Sequence, residues 1–264
     1  KRLRSVLMSE CEGPEELTVQ LLPNLTTPDA LAGRVVVVID VLRATSTLAA
    51  ALAAGARQIV PCLEVDEARQ MAGHLQGNEA ILLGGERGGR TIEGFDLGNS
   101  PSEYTAERVS SRTIVFTTTN GTRAMMCCRS AGRALTGAFT NLSAVCRAAM
   151  TAGQIEVICA GTEGFVSWED TLCAGAIVHQ LAHAETRLND AAQLARQSWY
   201  GIGGPSISST DLTNVLRQGR GGQNVASIGR AADIEWVAGI DRFDVVPELF
   251  PDEWSIRPAG AGTV

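Results

Sequence analysis

Four carboxylates stand in short polar stretches that also carry hydroxyls, glycines and arginines. Asp40 opens Asp40-Val41-Leu42-Arg43-Ala44-Thr45-Ser46-Thr47, and Glu86 lies within Gly84-Gly85-Glu86-Arg87-Gly88-Gly89. Glu169 and Asp170 end the run from Ala160 through Gly161-Thr162-Glu163-Gly164. A further stretch, Thr117-Thr118-Thr119-Asn120-Gly121-Thr122-Arg123, has no acid but has the make-up of an anion-binding turn. Carboxylate oxygens are the hard ligands that Mg²⁺ takes in phosphoryl-transfer sites. Asp40, Glu86, Glu169 and Asp170 are therefore the candidate metal ligands, and Asp40, Arg43, Glu86 and Asp170 the candidate catalytic groups. Thr45, Ser46, Thr47, Asn120, Gly121 and Thr122 stand at helix starts, where free N–H groups and the helix dipole attract phosphate. Arg43, Arg87 and Arg123 offer planar donor forks to phosphate or carboxylate. Any one loop reads equally well as helix capping and surface solvation. The four together point to a ligand site, because open α/β sheets bind beyond the carboxyl ends of their strands.

Other chemistries fit less well. No G-x-x-x-x-G-K-[ST] occurs, and no G-x-G-x-x-G follows the first aliphatic strand, so a P-loop is excluded and a nicotinamide Rossmann site disfavoured. Asp40 after a strand has the look of a haloacid-dehalogenase nucleophile, yet the acid/base aspartate needed two positions on is Leu42. Cys127 and Arg133 have C-x₅-R spacing, but Cys127 falls inside a helix rather than directly after a strand. His179 and His183 lie four apart without the glutamate of H-E-x-x-H and without a third strong ligand, so a structural role is favoured. His74 reads as a helix-end residue near Gly77, and Cys159 and Cys173 as small buried apolar residues.

The elements that must hold these groups alternate between strand and helix, the pattern of a layered αβα sandwich with a largely parallel or mixed sheet. Strands are expected at 35–39, 58–62, 80–83, 113–117, 135–138 and 155–160. Helices are expected at 48–54, 65–75, 123–130, 142–150 and 171–188, with a short one after the turn-rich loop 90–105. Gly201-Ile202-Gly203-Gly204-Pro205 is neither helix nor regular strand, and 189–224 reads as a helical excursion or lid within a single α/β domain spanning 1–264. No internal repeat or low-complexity segment interrupts it.

Composition sets the outer limits. The chain has 264 residues, 45% apolar, with a formal charge of −7. That balance disfavours nucleic acid and anionic membrane surfaces as partners and leaves a small anionic substrate. No apolar stretch reaches membrane-spanning length, and the opening residues lack the order of a signal peptide. Seven cysteines without a C-x-x-C pair fit a reducing cytoplasm. Of 22 basic residues only Lys1 is lysine. Codon bias accounts for most of that, but Arg43, Arg87 and Arg123 predict a local positive pocket within the acidic exterior.

The motifs Val38 to Thr47, Gly85-Glu86-Arg87, Gly94-Phe95-Asp96-Leu97-Gly98-Asn99-Ser100-Pro101, Thr117 to Thr122, Cys159-Ala160-Gly161 and Glu169-Asp170 with Cys173-Ala174-Gly175-Ala176 resemble, in order and spacing, the 2-phosphosulfolactate phosphatase (ComB) family. The match is firm over 35–178 and looser through Asp233-Ile234 and Val246-Pro247. The resemblance implies an α/β fold of its own type, Mg²⁺ dependence, and hydrolysis of 2-phospho-3-sulfolactate, a step toward coenzyme M. The substrate stays open between that compound and another phosphomonoester of a 2-hydroxycarboxylic acid. Attack by water and attack by Asp40 both stay open, as does a homo-oligomer. A non-catalytic binder of phosphorylated or dicarboxylate metabolites and a cysteine-dependent enzyme are the readings from other classes.

Overall fold

The computed structural model describes residues 13–75 and 80–260; residues 1–12, including Cys11, and Gly77 lie outside them. The strands are β1 (Glu16–Gln20), β2 (Val35–Ile39), β3 (Gln58–Pro61), β4 (Ile81–Arg87), β5 (Arg90–Thr91), β6 (Thr113–Thr117), β7 (Arg133–Gly137), β8 (Gln154–Cys159), β9 (Arg187–Leu188), β10 (Pro247–Phe250) and β11 (Ser255–Pro258). They form one mixed sheet in the order β5-β4-β6-β3-β11-β10-β7-β2-β8-β1-β9. Two parallel blocks, β4-β6-β3 and β7-β2-β8-β1-β9, are joined through the antiparallel β10-β11 pair.

β2 shows why both faces are covered. Val37 and Ile39 enter one apolar core, and Val36 and Val38 enter the other. A continuous β-branched run suits such a strand, since neither face meets water. On the first face lie α5 (Leu142–Ala149), α6 (Trp168–Leu181) and α7 (Asp190–Gly201), with Phe139 stacked on Trp199 at 5.8 Å between ring centroids. On the second lies α1 (Ala44–Ala53), buried on nearly every side because alanines and small hydroxyl residues make most of its surface. α2 (Val65–Leu75) covers β3 and β6 through Ala68 and Ala72.

The sheet is strongly curled. Asp40 follows β2 and Gly121 follows β6, five strands away in the sheet order. On a flat sheet that separation is roughly 24 Å at strand spacing. Yet a Cβ built on Gly121 would stand 2.8 Å from Asp40 Oδ2. The sheet wraps α1, so that Leu48 and Leu52 share one core with Ile59, Leu82, Ile114 and Ile256 from the far strands.

The predicted strands and helices are present with small shifts, and the structure extends them. β4 runs on through Glu86 and Arg87, which the sequence reading assigned to a loop. α6 stops at Leu181 instead of 188, because Arg187 and Leu188 extend the sheet by pairing with Glu16 and Leu17. β1, β5, β9, β10 and β11 lie where no strand was predicted. Segment 189–224 contains α7, α8 (Ser209–Leu216) and the first turn of α9 (Arg220–Ser227). Asn189 starts α7 by accepting the Ala192 N–H at 2.9 Å, and it bonds the β1 backbone at Val19. Gly203 and Gly204 then take positive φ, as expected for a break. Three shorter helices complete the set: α3 (Ala106–Val109), α4 (Gly121–Met126) and α10 (Ala231–Val237). No helix among the described residues is long and apolar enough to cross a membrane.

Gly175 sets the approach of α6 to α7. A Cβ there would strike the Ala195 carbonyl oxygen, stand 2.6 Å from its carbon and lie 2.9 Å from Trp199 Cβ. Gly175→Ala is expected to destabilise the fold by about 1–3 kcal/mol through overpacking, read as a lower midpoint in urea denaturation with an unchanged slope.

Candidate active site

The carboxyl ends of β2, β4, β6 and β8 open on a cavity of about 510 Å³. Its floor and walls include Asp40, Arg43, Glu86, Arg87, Thr119 and Asn120, with Asn99, Thr162 and Glu163 beside them. Gly221, Asn224, Val225, Ser227 and Ile228, on and just after α9, close the remaining side. The sheet's curl is what brings these ends to one place.

Asp40 is 6% exposed. Its Oδ1 accepts the Ala44 N–H at 3.1 Å, at the first residue of α1, and its backbone is held by Thr45. Burial pushes its carboxyl up to about 7, with the charges of Glu86 and Glu169 adding to the rise while the Ala44 N–H and Arg43 oppose it. Glu86 is buried too, and its two oxygens accept the N–H groups of Thr119 at 2.8 Å and Gly89 at 2.7 Å. It thus ties the loop after β6 to the β4–β5 hairpin while facing the cavity.

The acid pair on α6 does not reach the cavity lining. Asp170 accepts the Val41 N–H at 2.9 Å on Oδ1 and the Gly161 N–H at 3.0 Å on Oδ2, locking the loops after β2 and β8 from behind. Burial, then the charges of Glu169 and Asp40, raise its carboxyl well above the usual range, and those two N–H bonds pull against the rise. Glu169, 1% exposed, lies beneath the first turn of α9, where a Cβ on Gly221 would collide with its carboxylate; its Oε2 has no hydrogen-bond partner. Burial raises its carboxyl as well.

The predicted hydroxyl donors turn inward. Thr45 Oγ1 donates to the Asp40 and Gly137 carbonyls, Ser46 Oγ to Val41 O, and Thr47 Oγ1 to Asn99 O. These side chains hold α1 against the loops and face no ligand, because a hydroxyl in the first turn of a buried helix finds a nearby carbonyl. Thr122 is likewise paired with Thr118. Asn120 does line the cavity, and its Oδ1 accepts the Glu163 N–H at 3.4 Å. Gly121 supports Asp40 from the side, with no room for a Cβ between Oδ2 and the Ala44 methyl group.

Two of the three arginines are in place. Arg43, 3% exposed, donates from Nη1 to Asp233 Oδ2 at 2.7 Å and from Nη2 to Gly89 O at 2.6 Å. Arg87 is fixed by Leu63 O at 2.8 Å and Thr117 Oγ1 at 2.9 Å. Arg123 is exposed on α4, away from the lining. The expected positive pocket is corrected accordingly. Three carboxylates (Asp40, Glu86, Glu163) and two guanidinium groups share the lining, so the cavity is bipolar.

The sequence reading passed over Asn99, Thr119 and Asp233 as site groups. Asn99 Oδ1 and Thr119 Oγ1 are buried polar atoms without partners, and both residues line the cavity. Asn99 belongs to the Gly98-Asn99-Ser100-Pro101 motif, which was the available signal. Asp233 lies 190 residues from Arg43, and no local pattern joins the two.

The donor set was tested for a divalent cation. Among the described residues no group of three or more His, Cys, Asp or Glu side chains is placed to hold a metal ion. Two buried carboxylates, Asp40 and Glu86, do face one cavity. Mg²⁺ is commonly held by one or two carboxylates with waters and substrate phosphate completing its shell, so these residues fit Mg²⁺ better than a closed protein cage. No described cysteine lines the cavity, and burial pushes the Cys62, Cys128 and Cys146 thiols up to about 12. Arg133 pairs with Glu248 on β10, away from Cys127. His179 meets Tyr200 at 2.8 Å, while His183 lies beyond the end of α6.

Comparison with known proteins gives a consistent result. The family model described as 2-phosphosulpholactate phosphatase matches residues 20–251, a span that contains Asp40, Glu86, Asn99, Asp170 and Asp233. Three relatives carry the name "Probable 2-phosphosulfolactate phosphatase". That from Caldanaerobacter subterraneus subsp. tengcongensis is 40% identical over 215 residues, covering 81% of this chain and 87% of its own length. That from Symbiobacterium thermophilum is 40% identical over 227 residues, 85% of this chain and 94% of its own. The protein from Gloeobacter violaceus is 39% identical over 232 residues, 87% and 92% respectively.

Asp170→Ala removes the acceptor of two buried N–H groups at once. It is expected to cost about 1–3 kcal/mol for each N–H left unsatisfied, measured by urea denaturation, with Asp170→Asn losing less because one acceptor oxygen is kept.

Proposed function

As the chain belongs to the 2-phosphosulfolactate phosphatase family and is a phosphoric monoester hydrolase, we propose that it removes phosphate, with Mg²⁺, from 2-phospho-3-sulfolactate or a related phosphorylated 2-hydroxycarboxylic acid. The observation that carries this reading is the bipolar cavity. Asp40 and Glu86 face the same space as Arg43 and Arg87. Carboxylates repel an anionic ligand unless a cation lies between them, so a protein that only captured phosphorylated acids would be better served by the arginines alone.

Asp40 and Glu86 are the residues that would hold Mg²⁺. When bound, the ion supplies Lewis-acid polarisation of a phosphoryl oxygen and offsets the charge of the two carboxylates. Thr119 Oγ1 and the side chain of Asn120 are lining groups that would donate to phosphoryl oxygens. The unpartnered state of Thr119 Oγ1 leaves its hydroxyl proton available to a phosphate oxygen. Arg87, anchored to Leu63 and Thr117, adds positive charge on the β4 side. Arg43 and Asn99, also in the lining, would receive the substrate's second acid group, a carboxylate or sulfonate. Asp40 orients the attacking water and takes its proton. A phosphoaspartate route is the weaker choice, because Leu42 lines the cavity where the assisting carboxylate would be needed.

The described cysteines are free thiols, which supports a reducing cytoplasm as the compartment. The partner is a small anionic substrate, and the net charge of −7 argues against nucleic acid and membrane surfaces.

Inorganic phosphate release from a panel of phosphorylated 2-hydroxy acids is the direct test. Release is expected with Mg²⁺, is lost on chelation, and is unaffected by thiol alkylation. Asp40→Asn is expected to lower kcat by about 10²–10⁴-fold, the range for loss of a positioned acid or base. Release that survives chelation removes Mg²⁺ from the reading, and an Asp40→Asn enzyme with full turnover removes Asp40 from the chemistry.

A further inference from the structure

Arg43 is an almost fully buried cation that shares its cavity with two buried carboxylates, Asp40 and Glu86, yet it is bonded to neither. Its Nη1 goes to Asp233 Oδ2 at 2.7 Å, and its Nη2 to Gly89 O at 2.6 Å. Asp233 is itself 3% exposed, in the first turn of α10, and its second oxygen accepts the Ser100 hydroxyl at 2.5 Å. Ser100 is the neighbour of Asn99, whose Oδ1 is buried without a partner at the cavity. One carboxylate therefore sets two groups on the same wall: Arg43 directly, and the Asn99-Ser100 turn through Ser100.

We propose that Asp233 is the positioning residue for Arg43, holding the guanidinium off Asp40 and Glu86 so that its remaining N–H donors receive the substrate's non-phosphoryl acid group. This rests on reading the cavity as the site of a phosphomonoester that carries a second acid. The physical argument has two parts. A buried guanidinium must have a counter-charge, and if Asp233 did not supply it, the buried carboxylates of the cavity are Asp40 and Glu86. Gly89 accepts Arg43 on its carbonyl and donates its N–H to Glu86, so one residue separates the guanidinium from that carboxylate. A turn of Arg43 toward those carboxylates would take its free donors away from the position where they receive the substrate's second acid group. The guanidinium geometry allows the alternative: five N–H donors in a planar fork let two be tethered while others stay free. Asp233 bonds the lining residue Arg43 but does not itself line the cavity, so it acts through Arg43 and not on the substrate.

The test compares 2-phospholactate with isopropyl phosphate, two esters that differ by one carboxylate. For Asp233→Asn, KM for 2-phospholactate is expected to rise about tenfold or more, the size of one charge-assisted hydrogen bond, while kcat stays within about threefold and turnover of isopropyl phosphate changes little. Ser100→Ala keeps every charge, serves if Asp233→Asn folds poorly, and is expected to shift KM the same way by a smaller factor. In an Arg43→Met background, Asp233→Asn is expected to add no further rise in KM. The proposal is overturned if the Asp233→Asn effect persists undiminished on Arg43→Met, if it falls on kcat alone, or if both esters lose equally. A wild-type enzyme that releases phosphate from neither ester nor from 2-phospho-3-sulfolactate instead defeats the functional reading on which the proposal rests.

Discussion

Asp40 and Gly121 touch across five strand positions, and the rest of the site depends on that closure. Flat or gently twisted sheets place functional loops on neighbouring strands at a switch point. Here the loops come from β2 and β8 in one parallel block and from β4 and β6 in the other, with the antiparallel β10-β11 pair between them. Only a curled sheet brings the blocks face to face. The curl in turn requires a narrow filler, and α1 supplies it. Its sequence, Ala-Thr-Ser-Thr-Leu-Ala-Ala-Ala-Leu-Ala, presents small side chains nearly all round, so neighbouring strands approach its axis closely.

The loops that leave these strand ends carry N–H groups outside any ladder, and buried N–H groups must be satisfied. Three carboxylates meet the need: Asp40 takes Ala44, Glu86 takes Gly89 and Thr119, and Asp170 takes Val41 and Gly161. Asp40 and Glu86 thus serve both as frame of the loops and as electrostatics of the cavity, while Asp170 serves the frame alone. Their closeness has a cost visible in the raised Asp40 carboxyl, which burial and the charges of Glu86 and Glu169 produce together. A site held in this way is preorganised, since loop positions do not wait for a ligand to fix them.

Much of this was readable from residues alone. The β-branched run at β2 and the helix-period stretches after it identify the layered α/β class, and the four polar strand ends mark the site. Residues at those ends were harder to sort, because type does not tell direction. Thr45, Ser46 and Thr47 have the chemistry of phosphate donors, but in a helix enclosed by sheet their hydroxyls meet carbonyls first. Glu169 and Asp170 are adjacent on α6, yet one lies under α9 and the other behind the β2 loop. Glu86 looked like a loop residue because glycines surround it, whereas the strand continues through it. β10 and β11 are four-residue strands whose place between two parallel blocks depends on partners near residues 59 and 134; no local pattern encodes that. The Arg43–Asp233 pair is the extreme case of the same limit, being local in space and 190 residues apart in the chain.

The excess of arginine over lysine takes on a more definite meaning at two positions. Arg43 and Arg87 each direct separate nitrogens to separate fixed acceptors: Asp233 and Gly89 O for the one, Glu86 O and Leu63 O for the other. A lysine has one nitrogen, so tethering it in two directions would leave it poorly aimed at anything else. The fork separates anchoring from presentation. That separation matters most where opposite charges share a cavity, because an untethered cation beside Asp40 and Glu86 would pair with them and leave nothing for a ligand. Arg123, exposed on α4, shows no such anchoring, and genome composition suffices to account for it. The distinction between a chosen arginine and an incidental one therefore lies in how many of its donors the fold immobilises, which sequence counts alone do not reveal.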